Sequence, residues 1–392
     1  MSNRSILFVI VLGRLFPSGV RRAMDYLPYL HGRHWHSKVV SYKSPLLYRG
    51  RMYNSRITKK AVQLWRKKST LTWAALPFFL VLALITTIVR LVIRLASWAY
   101  TASVLFYLLV RAKYFDVIFF VKVTPPVWFV NIIRKLNSNI VYDIDDAVFL
   151  KQPARTTAIV SAAAVATPGS HYNAEFCHQH CNNVVFLPTP VPWASFQAAS
   201  KEFQKQVNSH FRVGWVGSAQ TARYLDVIVE PLRKLGTKYP GRISLVIVGL
   251  NHRKDTCLSI DGVEVEVITW VPPDHIPSIV ASLDIGIMPL YETDWEKGKC
   301  GMKALEYMAA GKPAVCSAVG ENNFIIQDGI NGFLAKTEAD WQIQIERLMM
   351  DPGLRERIGK AGQDTIRHRY STEVCFDILL HQVLEPLVAQ EN

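Results

Sequence analysis

Short apolar runs of strand length recur along this chain, and most are separated by a stretch with helical periodicity. In the first half they fall at 6–11, 38–42, 116–122, 139–143, 162–167 and 184–187. In the second half they fall at 212–216, 243–248, 263–270 and 285–289, with shorter runs at 314–315 and 332–334. Helical spacing is read at 21–31, 127–136, 223–235 and 276–283, and in a stretch beginning near Ser170. Strands alternating with helices require a parallel sheet with helices on both faces. Pro188, Pro190 and Pro192 interrupt the series, so two sheets are expected, in two Rossmann-like domains of similar size at 1–190 and 191–370. A chain of 392 residues suits two domains. The tail at 338–387 reads as three helices, with 371–392 set apart as a C-terminal helix. Ligands of such domains bind beyond the carboxyl ends of the strands, which makes the cleft between two of them the default site.

One interval breaks the pattern. Between Asp25 and Asp116 there is no acidic residue, and fifteen Lys and Arg stand there. The net charge of +14 arises in this interval, and the remainder of the chain is close to neutral. The same interval carries nineteen uncharged residues at 71–89 and sixteen more at 95–110. Basic residues beside a long apolar run point to an anionic membrane surface. Nucleic-acid binding would call for basic residues with exposed aromatics on a polar fold, and no such pattern is present. The strands before and after this insertion, at 45–113, should share one sheet and therefore one side of a bilayer, which excludes a single crossing. The second run is short for a full span. A shallow or in-plane helical pair is expected, with Arg90 and Arg94 reaching headgroups. The run at 6–11 is too short for a secretory signal and no small-residue cleavage site follows it. Six cysteines without a disulfide spacing suit a reducing compartment, so the expected location is the cytoplasmic face of a membrane, peripheral or monotopic.

The stretch from Lys297 to Cys316 carries the sharpest chemical signal. Gly298 and Gly301 mark a loop, and Met302, Leu305, Met308 and Ala309 recur at helical spacing. Gly311 is a natural terminator, and Pro313 forbids continuation. A helix N-terminus has unpaired N–H groups and the positive end of the helix dipole, so it favours an anion. Lys299 and Lys303 add charge at that end. Glu306, one and a half turns further in, suits sugar or ribose hydroxyls. Phosphates at the tip and hydroxyls on a carboxylate together suggest a sugar nucleotide.

The second half resembles glycosyltransferase family 4, retaining enzymes of the GT-B fold. The resemblance lies in Val213-Gly-Trp-Val-Gly-Ser218, Ile247-Val-Gly249, Trp270-Val-Pro-Pro, Asp284-Ile-Gly-Ile-Met-Pro-Leu290, Gly301-x4-Glu306-Tyr-Met-Ala-Ala-Gly-Lys-Pro313 and Asp328-Gly-Ile-Asn-Gly332, in family order. In the first half it rests on Val141-Tyr-Asp-Ile-Asp-Asp-Ala147 and Ala166-Thr-Pro-Gly-Ser170. It implies a nucleotide sugar held by the C-terminal domain, an acceptor held by the N-terminal one, and no metal cofactor. The family's Glu-x7-Glu pair maps onto Gly298 and Glu306, so only the second glutamate is present. Trp215 and Thr221 stand where the family has Arg and Lys, with Arg223 nearby. Lys299, Lys303, Gly217, Ser218, Arg223, Gly301 and Glu306 are therefore the expected donor contacts.

Asp143-Ile-Asp145-Asp146 ends a first-domain strand. A DxD sequence is similar to the metal site of the GT-A fold, but the second α/β half argues against that fold. Asp145 matches the position of the family's active-site histidine. It is the first candidate to orient or deprotonate an acceptor hydroxyl, followed by Asp143 and Asp146. Mutual repulsion among the three should raise one carboxyl. Gly19 and Arg21, after the first strand, are the expected acceptor contacts. His171, Cys177, His178, His180 and Cys181 match no zinc spacing and read as an ordinary helix. The expected protein is a membrane-associated glycosyltransferase acting on a lipid-linked or cell-surface glycan. The alternatives are a non-catalytic membrane-bound partner of the same fold, or a sugar-nucleotide epimerase.

Overall fold

The structure, a computed structural model, describes residues 4–13, 17–67, 76–203, 210–250 and 258–389. Residues 71–75 of the first apolar run and Cys257 lie outside these. The first sheet contains β1 (Arg4–Ile10), β2 (Trp35–Ser41), β3 (Val117–Val121), β4 (Ile140–Ile144) and β5 (Val165–Pro168), in the order β2-β1-β3-β4-β5. The second contains β6 (Phe211–Val216), β7 (Ile243–Leu250), β8 (Val263–Thr269), β9 (Ile285–Met288), β10 (Ala314–Ser317) and β11 (Phe333–Ala335), in the order β11-β10-β9-β6-β7-β8. Every pairing between these strands is parallel. The order reverses between β1 and β3 in one sheet and between β6 and β9 in the other, so each carboxyl edge has a crevice at that point.

The central strands are apolar throughout because both faces are covered. Ile118, Phe120 and Tyr142 face a layer that includes helices Leu76–Arg111, Val127–Leu136 and Pro153–Ala162. Ile6, Phe8 and Phe119 face the opposite layer, built with helix Leu27–Gly32 and the C-terminal segment. That segment leaves the second domain beside the outgoing linker. Val191 N donates to Tyr370 O at 2.8 Å, and Thr372 N donates to Val191 O at 3.0 Å. Helix Thr372–Ile378, a π-helical turn at Leu379–Leu384 and helix Glu385–Ala389 then bury Phe376, Leu380 and Leu384 against the first sheet. The tail thus completes the core of the N-terminal domain.

Four local expectations need correction. The stretch at 21–31 is not one helix: helix Pro17–Arg21, a 3₁₀ turn at Met24–Tyr26 and helix Leu27–Gly32 replace it. Pro28 has no N–H to donate, so it sits in a first turn rather than in an interior. The run at 184–187 forms a bridge to Ala166 rather than a named strand, and Pro188 ends it. Helix Pro153–Ala162, between β4 and β5, was not anticipated. The two apolar runs are not a pair of helices. They form one uninterrupted helix, Leu76–Arg111, because no glycine stands between the runs and the one proline, Pro77, lies in the first turn. Its antiparallel partner is the basic helix Pro45–Lys67, with Asn54 Nδ2 donating to Thr86 O at 3.0 Å. Helix Leu76–Arg111 is long and apolar enough to cross a membrane.

Candidate functional site

The carboxyl edges of the two sheets meet closely at Gly298. Its carbonyl accepts from Asn173 Nδ2 at 2.9 Å and from Ser170 Oγ at 3.4 Å, both from the N-terminal domain. A Cβ on Gly298 would stand 2.6 Å from the Cβ of Ala147 and 2.7 Å from its N. No side chain fits there, which is the physical reason that a glycine stands where the resemblance puts a glutamate. Ser170 also caps its own helix, accepting from Asn173 N at 3.2 Å.

Helix Met302–Ala309 begins at Gly301, whose φ of 68° lies in the left-handed region. A Cβ there would also approach Ile325 Cδ1 to 2.2 Å. Glycine is required on both counts, and the first N–H groups of the helix beyond it have no intrahelical acceptor. Lys303 Nζ lies 5.8 Å from the centre of the Trp215 ring. Burial, and then Lys299, lower the Lys303 ammonium to about 8. Lys299 Nζ is 3.7 Å from Asp146 Oδ1 across the domain boundary. Trp215 itself is fully buried, so the residue in the family's Arg position is part of the core. The hydroxyl of Tyr307 accepts from Val216 N at 2.9 Å, tying this helix to the end of β6 and hence to Gly217 and Ser218.

Glu306 is buried and accepts from Arg21 Nη2 at 3.3 Å. Burial raises its carboxyl, and Arg21 and Lys303 oppose that. The expected donor-side carboxylate and the expected acceptor-side arginine thus face each other directly. Arg21 also donates to Asp25 Oδ2 at 3.0 Å. Arg223 reaches Glu296 Oε1 at 3.3 Å, and Glu296 also accepts from Tyr224 and Thr293. Burial pushes the Glu296 carboxyl up, but the Thr293 and Tyr224 hydroxyls, its own backbone N–H and nearby Lys299 outweigh it and leave the carboxyl below its ordinary range.

The aspartates separate into two groups. Asp143 and Arg22 are both fully buried and bonded twice at 2.6 Å, and Thr167 Oγ1 donates to Asp143 at 2.9 Å. Arg22 also donates to Leu187 O at 2.9 Å. Asp143 therefore stands beneath the cleft floor. Its carboxyl is raised by burial first, with Asp145 a lesser cause, so repulsion is not the main one. Asp145 and Asp146 face Lys122, which lies 3.2 Å from Asp145 Oδ1 and bonds Asp146. Lys122 follows β3 directly and has φ of 55°. A row of charge, Asp145–Lys122–Asp146–Lys299, thus crosses from one domain to the other. Cys300 Sγ adds a bond to Asp145 O at 2.9 Å. Gly19 is buried, and a Cβ there would stand 3.3 Å from Ile10 Cδ1.

Lys122 and Glu321 were not expected from sequence. Glu321 bonds His171 from the other domain, N to Oε2 at 2.8 Å, and the His171 ring stacks on Phe324 at 3.7 Å. Lys122 could have been found by the strand-end rule that selected the aspartates. Among the described residues, no group of three or more His, Cys, Asp and Glu side chains could hold a metal ion. The histidine-rich helix His171–His178 instead buries Cys177 in the first core.

Residues 210–351 match the family model described as glycosyl transferases group 1. The D-inositol 3-phosphate glycosyltransferase of an Arthrobacter species is 29% identical over 208 residues, covering 49% of this chain and 47% of the relative. That of Corynebacterium aurimucosum is 29% identical over 39% of this chain and 38% of the relative. The chain thus spans about half, or less, of the length of these curated relatives. Solved structures match nearly end to end. HepE of Anabaena in complex with UDP-glucose has a TM-score of 0.62 at 14% identity, covering 98% of this chain and 99% of that one. Sucrose-phosphate synthase of Thermosynechococcus elongatus has a TM-score of 0.64 at 13% identity, covering 99% and 100%. The two parallel α/β domains accordingly have the GT-B arrangement.

Proposed function

We propose that this protein is a glycosyltransferase that takes a nucleoside-diphosphate sugar, a UDP-sugar in the first instance, as donor. The acceptor is a hydroxyl of a lipid-linked or cell-surface glycan at the cytoplasmic face of a membrane, and transfer proceeds with retention. The carrying observation is the helix tip at Gly301, with Lys299 and Lys303 beside it and Glu306 one and a half turns behind. The matched family segment contains all of these residues, and HepE is recorded with UDP-glucose, which supports the same reading.

In this reading the diphosphate rests on the first N–H groups of the helix, and the two lysines meet the charge that grows on it as the glycosidic bond breaks. Gly217, Ser218 and Arg223 border the donor from the end of β6. Glu306 accepts from ribose hydroxyls, so Arg21 must release it when the donor enters. Arg21 and Gly19 then stand beside the acceptor. Asp145, steadied by Lys122, orients the acceptor hydroxyl, with Asp146 beside it. Asp143 holds the floor through Arg22. No step requires a metal.

The close contact at Gly298 favours a second reading, a non-catalytic protein that keeps the fold. Two measurements separate them. A thermal-shift series with UDP-, GDP- and dTDP-sugars should raise the melting point for one base, since ligand binding to the native state stabilises it. The same nucleotide sugar should then be consumed by purified protein with membrane extract. Binding without consumption would favour the second reading, and no shift with any nucleotide would remove the first.

A further inference from the structure

We propose that the protein lies along an anionic bilayer surface on a composite face made by two helices, Leu76–Arg111 and Val127–Leu136. The first helix does not cross the bilayer in this arrangement. Leu84, Ile88, Leu95, Trp98, Phe106 and Val110 are all exposed, Trp98 at 74%. At about 100° per residue they fall within about one third of the helix circumference. Arg90 and Arg94 fall outside that arc. Helix Pro45–Lys67 backs the other side, where Asn54 bonds the Thr86 carbonyl. Val81, Ile85, Val89 and Val92 are exposed as well, so the apolar arc widens to about half the circumference in the first half of the helix. The two arginines and helix Pro45–Lys67 take up the rest, the pattern of a helix lying in the interface.

The second helix continues that face on the globular domain. Trp128, Ile132 and Leu136 are exposed on successive turns, Trp128 at 55%. Phe129, Val130 and Ile133 point the other way, into the core shared with Leu108 and Ala112. Both helices therefore cover the same sheet face, and Asn137 Nδ2 fixes their ends level by donating to Ala112 O at 2.9 Å and Phe115 O at 2.7 Å. The outer stripes lie side by side. Arg134 and Lys135 border one, and Arg111 and Lys113, with Tyr114 beneath them, close the other. Aromatic and aliphatic side chains rimmed by cations suit anionic headgroups better than a second protein.

The geometry also orients the site. Tyr100 OH donates to Ser41 O at 3.0 Å, at the carboxyl end of β2. Lys38 Nζ lies 5.0 Å from the Tyr107 ring further back along β2, so the helix runs against the strand. The residues before Tyr100 therefore extend about 36 Å past the carboxyl edge of the sheet, at about 1.5 Å per residue. Helix Val127–Leu136 starts five residues after Lys122. The carboxyl edge of the N-terminal domain therefore opens along the leaflet, beside the extended helix. Resting on the transfer reading above, this selects acceptors whose accepting hydroxyl lies close to the lipid headgroup.

The test mixes purified full-length protein with vesicles of phosphatidylcholine, with or without phosphatidylglycerol, and measures flotation. Wild type should float, more with phosphatidylglycerol. Trp128→Glu with Ile132→Glu should lower partition by about tenfold or more, with an unchanged melting point. Unchanged flotation of the double variant would overturn the composite face. So would a wild type that stays in solution as a dimer which the double variant dissociates. Flotation needs neither donor nor acceptor: intact flotation without any nucleotide-induced shift would sink the transfer reading alone.

Discussion

Arg21 and Arg22 are adjacent in sequence, and each faces a buried carboxylate, yet the two pairs differ in kind. Arg22 and Asp143 belong to one domain, share two bonds of 2.6 Å, and are closed on every side by Thr167, Leu187 and Thr189. Arg21 and Glu306 belong to different domains, share one bond of 3.3 Å, and Arg21 divides itself with Asp25. A sealed bidentate pair holds a fold together, because removing one partner strands the other charge. A single long bond between domains can be exchanged for a ligand's hydroxyls. The same residue type, one position apart, thus serves the floor of the cleft in one case and its contents in the other.

That contrast can be broken by substitution. Arg22→Ala should cost about 3–5 kcal/mol in denaturant unfolding, since it leaves Asp143 charged and buried. An effect below about 1 kcal/mol would mean the pair is not structural. Glu306→Gln should leave unfolding nearly unchanged and weaken UDP binding by about 10- to 100-fold in titration calorimetry, the scale of hydrogen bonds to a charged acceptor. Equal affinity for wild type and variant would remove Glu306 from the donor site.

Lys303 sharpens the comparison through pH. Its ammonium titrates at about 8 in the free protein. Below that value the charge is present and nucleotide affinity should be flat. Above it, binding requires proton uptake, and affinity should fall by up to about tenfold per pH unit until the bound-state value is reached. Fold stability should change in the opposite direction. The unfolded chain holds this proton more tightly than the native one between about 8 and the ordinary lysine value, so stability should rise with pH there. Lys303→Arg should abolish the pH dependence of binding in the same calorimetric series. The smallest effect is expected at Arg21→Ala. Removing the competitor for Glu306 should tighten UDP by about two- to fivefold, the lower end of the scale of one net hydrogen bond.

The alternation of strands and helices was legible because parallel strands covered on both faces are apolar along their length, as in Ile140–Ile144. The donor side was legible for a local reason: glycine spacing, lysines and Glu306 lie within ten residues. The acceptor side was less so. Asp143 and Asp145 look equivalent in sequence, and only the fold brings Arg22, 121 positions away, onto one of them. Gly298 illustrates the same limit, since its reason for being glycine is Ala147 in the other domain. The two apolar runs were separated on the strength of Arg90 and Arg94, but charge does not end a helix, and both arginines lie off the apolar face.

The most direct measurement is a crystal structure with UDP bound. The diphosphate should lie at the N–H groups of Met302 and Lys303, with ribose hydroxyls on Glu306 and Arg21 withdrawn from it. An intact Arg21–Glu306 pair, with nucleotide seated elsewhere in the protein, would contradict the account.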